Sequence, residues 1–217
     1  MPTPTLEEYL ETIFKIAGDG VAKPSRIAEA MGVSGPTVTA TLKRLAAQGY
    51  VTREGTDVRL TAEGIERSVD IVRKHRIAER FLVDVLGLDW EAAHEDACLL
   101  EHALSPRVLE ALERYLGDPT VCPHGHPIPA ADGSIARAQG GSLDEIAPGS
   151  SVRVLRVAED ESLLGYLGSL GLTPGTLVSV IDAEPFGGPL TIEVGESRRA
   201  LARDVARCVT VEEVSAG

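Results

Sequence analysis

The segment Gly32-Val33-Ser34-Gly35-Pro36 interrupts the chain between two helical stretches, and that interruption constrains the fold more than any other feature. Two glycines and a proline in so short a span favour a turn. Ser25 suits the cap of a short helix running through Met31. Ser34 suits the cap of the next helix, with Pro36 in its first turn and an end near Gln48. Two short helices joined by a Gly-bearing turn match the helix-turn-helix pattern. Beyond Gly49, Tyr50-Val51-Thr52-Arg53 and Val58-Arg59-Leu60 flank a turn at Glu54-Gly55-Thr56-Asp57. This reads as a small hairpin, the wing of a winged helix. Upstream, Leu6, Leu10, Ile13 and Phe14 predict a helix over about 5–17, ended by Gly18-Asp19-Gly20.

After the hairpin the apolar pattern lengthens. Thr61 opens a long helix with Ile65, Val69, Val72, Phe81, Leu82 and Val85 on one broad face, stopped by Gly87. Further helices are expected at about 90–104 and 106–116. Such helices following a winged helix suit a dimer core, although packing within one chain gives the same pattern. Residues 117–148 are rich in Pro and Gly and read as a linker. From about 149 short strands follow at Val152-Val154-Leu155, Leu177-Val178-Val180-Ile181, Leu190-Ile192-Val194 and Val209-Val211, with one short helix over Ser162–Leu170. Cys208, in the last strand, reads as core. The expected class is mainly α with a small β-barrel-like domain. Its parts are a winged helix at 1–60, a helical domain at 61–120, a linker at 121–148 and the β domain at 149–217.

Composition removes several classes of function. Aromatics are only 4% of 217 residues, so Ala, Val, Leu and Ile must build the core. No apolar run approaches the length a membrane span needs. The amino terminus lacks a secretory signal pattern, and three cysteines make no disulfide framework, so a cytoplasmic protein is expected. The net charge of −12 is unevenly spread. Residues 1–75 hold ten basic and ten acidic side chains, leaving 11 and 23 for the remainder. Within 20–53, Lys23, Arg26, Lys43, Arg44 and Arg53 face one acid, Glu29. A positive stretch on an acidic protein can meet phosphate while the rest resists non-specific binding, although a solvated helix face reads the same way.

All five histidines and two of the three cysteines fall in one window. Its densest part is His94-x3-Cys98-x2-Glu101-His102, where offsets of three and four would share one helical face. Nitrogen, sulfur and carboxylate donors together suit a mid-to-late first-row divalent metal. His75 and Glu79 share a face of the long helix, and Glu8 and Glu11 share one of the first. Cys122-Pro-His124 adds a compact pair. Each fragment alone has a plainer reading: a structural histidine, a solvated acidic face, a small core cysteine or a loop coincidence. The 94–102 cluster does not reduce so easily.

Taken in order, five motifs resemble the diphtheria toxin repressor family of iron- and manganese-dependent repressors. They are Glu-Tyr-Leu-x-Thr-Ile (8–13), Ser-Gly-Pro-Thr-Val (34–38), Arg-Lys-His-Arg-x-Ala-Glu-Arg (73–80), His-Glu-x-Ala-Cys-x-x-Glu-His (94–102) and Gly-x-Pro-Ile-Pro (125–129). The resemblance spans essentially the whole chain and implies a helical dimerisation domain and a C-terminal SH3-like domain related to ferrous-transport (FeoA-like) modules. It implies a primary regulatory site of Cys98, Glu101 and His102 with Glu8, and Glu11 beside it. It implies an ancillary site of Glu79 with His75 and His94, or with Cys122, His124 and a carboxylate such as Asp160. Iron-type members carry Met at the position of Glu8, whereas manganese-type members carry an acid there and Glu in place of Cys98. The chain is mixed, and hard oxygen donors tilt it towards Mn(II) over Fe(II).

The implied protein is a homodimeric repressor with two ions per subunit, whose metal favours binding to double-stranded operator DNA and so controls metal-homeostasis genes. Ser34, Pro36, Thr37, Thr39 and Thr41 are candidate contacts at the start of the recognition helix, with Arg26, Lys43 and Arg44 on phosphates. Family members commonly carry Gln where this chain has Ala40, so its operator preference is expected to differ. Three other readings remain open. A metal hydrolase lacks a supporting motif, and no enzyme is expected. A winged-helix regulator of an organic ligand leaves 94–102 unexplained. A metal buffer or transport-accessory protein leaves Ser34–Arg44 unexplained.

Overall fold

The structure is a computed structural model that describes residues 4–17, 20–136 and 139–214. It divides into two compact units. The first comprises the chain up to His75 with Glu101–Leu104 and Pro129–Ser134; the second comprises Arg76–Leu100, Ser105–Ile128 and Ile135 onward.

In the first unit, α1 (Pro4–Ala17), α2 (Pro24–Ala30) and α3 (Gly35–Ala47) precede the hairpin of β1 (Val51–Glu54) and β2 (Asp57–Leu60). Gly18 and Asp19, expected to end the first helix, lie outside the described residues. Pro24 opens α2 and Lys23 occupies its cap position, so Ser25 is not the cap. Proline is favoured there because its φ suits a first turn and its missing N–H would be unpaired anyway. Ser34 does cap α3, its Oγ accepting from Thr37 N at 3.4 Å. Leu6, Tyr9, Leu10 and Ile13 of α1 bury against Ile27 of α2, Val38, Leu42 and Leu45 of α3, and Val51 and Val58 of the hairpin. Glu54 pairs with Asp57, leaving Gly55-Thr56 as a two-residue loop, with Gly55 at φ 61°. Lys23 reaches across to Asp57 and holds the hairpin to the start of α2. Thr61 caps α4 (Ala62–Asp84), its Oγ1 accepting from Gly64 N at 3.0 Å.

The second unit holds the end of α4, then α5 (Trp90–Leu100) and α6 (Pro106–Tyr115). The helix expected to run to 104 ends at Leu100. Pro106 disfavours helical geometry at Ser105, and Ser105 instead caps α6 by accepting from Val108 N at 3.4 Å. Glu101, His102 and Ala103 therefore form a turn and do not extend the face of α5.

A six-stranded antiparallel sheet follows, in the order β3-β8-β4-β5-β6-β7. Its strands are β3 (Gly141–Ser142), β4 (Ser151–Val157), β5 (Leu177–Ala183), β6 (Leu190–Val194), β7 (Ser197–Leu201) and β8 (Val209–Glu213). Register shifts at Val154/Arg156 and Val180/Asp182 bend the sheet around its core. That core takes Val152, Val154, Val178, Val180, Ile192, Val209 and Val211 from the strands and Leu164 and Leu167 from α7 (Glu161–Leu170). β3 lies within the stretch read as linker, paired with β8. β7 had no apolar signature, because only Leu201 of its five residues is buried. Cys208 is not core: it is partly exposed and follows the short helix α8 (Arg203–Ala206), its Sγ 3.4 Å from Asp204 O. Helix α7 packs closely on α5. A Cβ at Gly165 would lie 2.2 Å from Glu91 Oε2, and one at Gly168 would lie 2.8 Å from Trp90 Nε1.

Candidate metal centres and nucleic-acid interface

Three buried donors converge in the first unit. Glu11 of α1, His75 of α4 and Glu101 of the turn after α5 place one ligand atom each within 4.8 Å of one another. His75 Nδ1 lies 2.7 Å from Glu101 Oε2. Burial pushes the Glu101 carboxyl above its usual pKa; the His75 hydrogen bond pulls it back, and the Glu11 charge adds to the rise. Carboxylates brought together away from water favour a proton or a cation between them. Lys15 supplies part of that charge, 3.0 Å from Glu11 Oε1.

Beside this cluster stands His102. Its Nδ1 lies 2.7 Å from Glu7 Oε2. Its Nε2 is buried and has no hydrogen-bond partner among the described residues, yet it faces Glu101 Oε1 at 3.4 Å and Glu8 Oε1 at 4.0 Å. A buried nitrogen aimed at two carboxylate oxygens without a bond to either suits a divalent cation between them. The residues present therefore fit a metal ion.

A second group forms in the other unit. Glu79 of α4, Cys122 and His124 of the following loop, and Glu159 before α7 offer ligand atoms within 4.8 Å of one another. His124 Nε2 lies 3.0 Å from Trp90 O, so that nitrogen carries the proton and Nδ1 carries the lone pair. Nδ1 is 3.1 Å from Glu79 Oε1 without the alignment of a hydrogen bond. Burial opposes charge on this imidazole, but the close Glu79 carboxylate outweighs it and holds its pKa above the usual value. Arg76 Nε approaches Glu159 Oε1 at 3.6 Å, and Arg76 Nη1 donates to Pro127 O at 2.6 Å. This donor set fits a metal ion as well.

Asp160 does not join the second group. Its Oδ1 accepts from Leu163 N at 3.0 Å and caps α7. The Ser162 hydroxyl, and then the Leu163 N–H, hold its carboxyl below the usual range. The adjacent Glu159 takes the place beside Cys122. Sequence reasoning missed Glu159 and Glu7, and the only available signal was their position next to expected donors. His94 bonds Glu79 Oε1 through Nδ1 at 2.9 Å. Cys98 lies in the last turn of α5, partly buried, in the second unit.

Burial pushes the Cys122 thiol well above its usual pKa, with the charges of Glu79 and Glu159 adding to the rise. The thiolate is the reactive form. In metal-free protein at pH 7, Cys122 is expected to react with a thiol reagent roughly a hundredfold more slowly than a free cysteine. A stopped-flow modification assay with mass-spectrometric site assignment measures this.

On the recognition helix, Pro36, Thr37, Thr39, Lys43 and Arg44 are exposed, as are Ser34 before it and Arg26 of α2. Thr41 is only 6% exposed and packs inward, so it is removed from the candidate contacts. Its position between Val38, Leu42 and Leu45 places it on the apolar face of α3.

A winged helix followed by helices that carry clustered acid, imidazole and thiol donors defines a metal-responsive class of DNA-binding protein. Residues 1–57 match the family described as the iron-dependent repressor N-terminal DNA-binding domain. Residues 61–130 match its metal-binding and dimerisation domain, and residues 141–213 match the FeoA domain. The chain is 37% identical to the iron-dependent repressor IdeR of Mycobacterium leprae (strain TN), over 97% of each chain. It is 34% identical to the diphtheria toxin repressor of Corynebacterium efficiens, over 97% of this chain and 96% of that one. Among solved structures, a manganese-dependent transcriptional repressor in complex with manganese superposes with a TM-score of 0.87 at 30% identity, covering 96% of this chain and all of that one. ScaR with bound Cd2+ gives 0.84 at 32% identity, covering 98% and 100%. The chain belongs to the iron-dependent repressor family that includes the diphtheria toxin repressor. Among the described residues, no helix is long and apolar enough to cross a membrane.

Proposed function

We propose that this protein is a metal-dependent transcriptional repressor that takes two divalent ions per subunit, Mn(II) in preference to Fe(II), and binds operator DNA as a cytoplasmic homodimer. The observation that carries the reading is the buried Nε2 of His102, without a hydrogen-bond partner among the described residues and facing Glu101 and Glu8. Glu8 stands on α1, whose apolar face forms the core of the winged helix.

Glu8, Glu101 and His102 hold the primary ion, with Glu11 and His75 adjoining. Glu79, Cys122, His124 and Glu159 hold the second. A bound divalent ion would supply the positive charge that lets these carboxylates stand together. The chain itself supplies the rest. Glu8 and Glu11 bring α1 to the turn at 101–102, and His75 brings α4 to the same place. With that charge absent, repulsion among Glu8, Glu11 and Glu101 works against α1 holding its position. Because α1 carries Leu6, Tyr9, Leu10 and Ile13 into the winged-helix core, restraint of α1 restrains the reading head. Ion binding thus raises the population of the DNA-competent arrangement. A hundredfold change in DNA affinity needs only about 2.7 kcal/mol of coupling.

Homodimer formation is supported by the apolar side chains exposed around α5 and α6. Leu99 is 75% exposed, Tyr115 71% and Leu86 56%, with Val85, Leu100 and Val108 also open. Large apolar side chains left open to water in this number suit an interaction surface. On DNA, Pro36 and the threonine methyls suit thymine methyl groups, while Arg26, Lys43 and Arg44 suit phosphates. None of these offers an Asn or Gln base reader, so DNA shape contributes to selection.

The test is a mobility shift with duplexes selected from a random pool, run anaerobically with Mn(II), with Fe(II) and with chelator. A shift that needs metal supports the reading; a shift unchanged by chelation, or none under any condition, contradicts it. In the same assay Glu8→Met exchanges a hard oxygen for a soft sulfur donor. The response is expected to move from Mn(II) towards Fe(II) by roughly tenfold in relative half-saturation.

A further inference from the structure

We propose that Glu7, anchored by Arg67, is the positioning residue of the primary centre: it keeps the proton of His102 on Nδ1 and so presents the Nε2 lone pair to the ion. The inference rests on the reading of Glu8, Glu101 and His102 as metal donors.

Glu7 and Glu8 are neighbours with opposite surroundings. Successive side chains on a helix point in directions about 100° apart. The Glu7 side chain is 10% exposed and that of Glu8 is 53% exposed. Glu7 Oε1 accepts from Arg67 Nη2, and Glu7 Oε2 lies 2.7 Å from His102 Nδ1. Both oxygens are engaged, so Glu7 has the geometry of an outer partner and not of a ligand. A carboxylate paired with a guanidinium only accepts hydrogen bonds, so the proton of this contact belongs to His102 Nδ1. A neutral imidazole then keeps its lone pair at Nε2, the buried nitrogen facing Glu101 and Glu8.

Arg67 is itself placed. Its Nη1 is 3.6 Å from Asp70 Oδ2, and that oxygen is 2.7 Å from Lys74 Nζ one turn later. A chain of charges on α4 therefore sets Arg67, which sets Glu7 on α1, which sets His102. The donor state of His102 depends on α1 lying against α4, so metal affinity and the docking of α1 share one network. Outer partners of metal-bound histidines commonly alter affinity 10- to 100-fold.

The test uses the full chain. In metal-free protein at pH 8, histidine 15N NMR is expected to show His102 as the Nδ1–H tautomer. Glu7→Gln turns its amide oxygen to Arg67 and its NH2 to His102, which drives the proton to Nε2. Its affinity for Mn(II), measured by EPR titration, should fall 10- to 100-fold. Adding Arg67→Met frees the amide to rotate and accept from Nδ1, so the double variant should regain both the tautomer and most of the affinity. A merely structural role for Glu7 predicts no such recovery. Wild-type His102 protonated at Nε2, or Glu7→Gln with wild-type tautomer and affinity, overturns the proposal. Failure of wild-type protein to bind Mn(II) would instead overturn the centre itself, and the metal-free tautomer measurement stays separate from that result.

Discussion

Glu101→Gln is expected to abolish metal-stimulated DNA binding while leaving the protein folded and its oligomeric state unchanged. Glu101 is 2% exposed and stands at the junction of both donor sets of the first unit: Oε2 meets His75 at 2.7 Å and Oε1 meets His102 at 3.4 Å. The amide keeps the shape and removes the charge, and its NH2 group opposes a cation where an oxygen lay. At least a hundredfold loss in metal-dependent DNA affinity is expected, equivalent to about 2.7 kcal/mol. Fluorescence anisotropy at saturating Mn(II) measures it, with size-exclusion chromatography for assembly. His102→Ala should behave alike, because it removes the nitrogen that the carboxylates face. A response to metal equal to that of the parent would contradict the assignment.

Gly125→Ala is expected to dismantle the second group without touching any donor. Gly125 lies between His124 and His126 at φ 86°, and a Cβ there would sit 2.0 Å from Leu155 O and 2.8 Å from Arg156 Cα. These are backbone atoms of β4, which cannot move aside as a side chain can. The loop must therefore shift, taking Cys122 and His124 away from Glu79 and Glu159. A loss of about 3 kcal/mol in the stability of the second unit follows. Gly117→Ala, in the same unit, is the control: its φ is similar at 74°, but nothing lies within 4 Å of the added atom. Its cost is limited to the left-handed backbone, roughly 1–2 kcal/mol. Thermal unfolding of the two variants, with thiol accessibility of Cys122, separates steric clash from backbone strain.

How far the sequence could be read depended on whether a residue's local chemistry was self-sufficient. Ser34 and Pro36 mark the start of α3 because capping and fixed φ need no distant partner. Likewise Gly55 marks the wing turn and the apolar alternation of β4, β5 and β6 marks the sheet. The mainly α architecture with its small β domain was legible on these grounds. β7 was not, since Arg198 and Arg199 give it an exposed face on both sides and only its pairing with β6 makes it a strand. The end of α5 at Leu100 follows from competition at Pro106, which helical spacing alone does not weigh. At the sites, residue types pointed to metal chemistry, but which of two adjacent acids turns inward depends on packing. Asp160 is claimed by Leu163 N, leaving Glu159 beside Cys122. Glu7 is claimed by Arg67, 60 residues away, a partner no local pattern reveals.

If ion binding favours the DNA-competent arrangement, DNA must tighten ion binding by the same factor. The most direct measurement is therefore an anaerobic Mn(II) titration of the full chain, followed by EPR, with and without saturating selected duplex. Duplex is expected to lower the Mn(II) dissociation constant of the primary centre by about a hundredfold, and Glu101→Gln to erase the difference. Identical Mn(II) affinities with and without DNA in the unaltered protein would contradict this coupling.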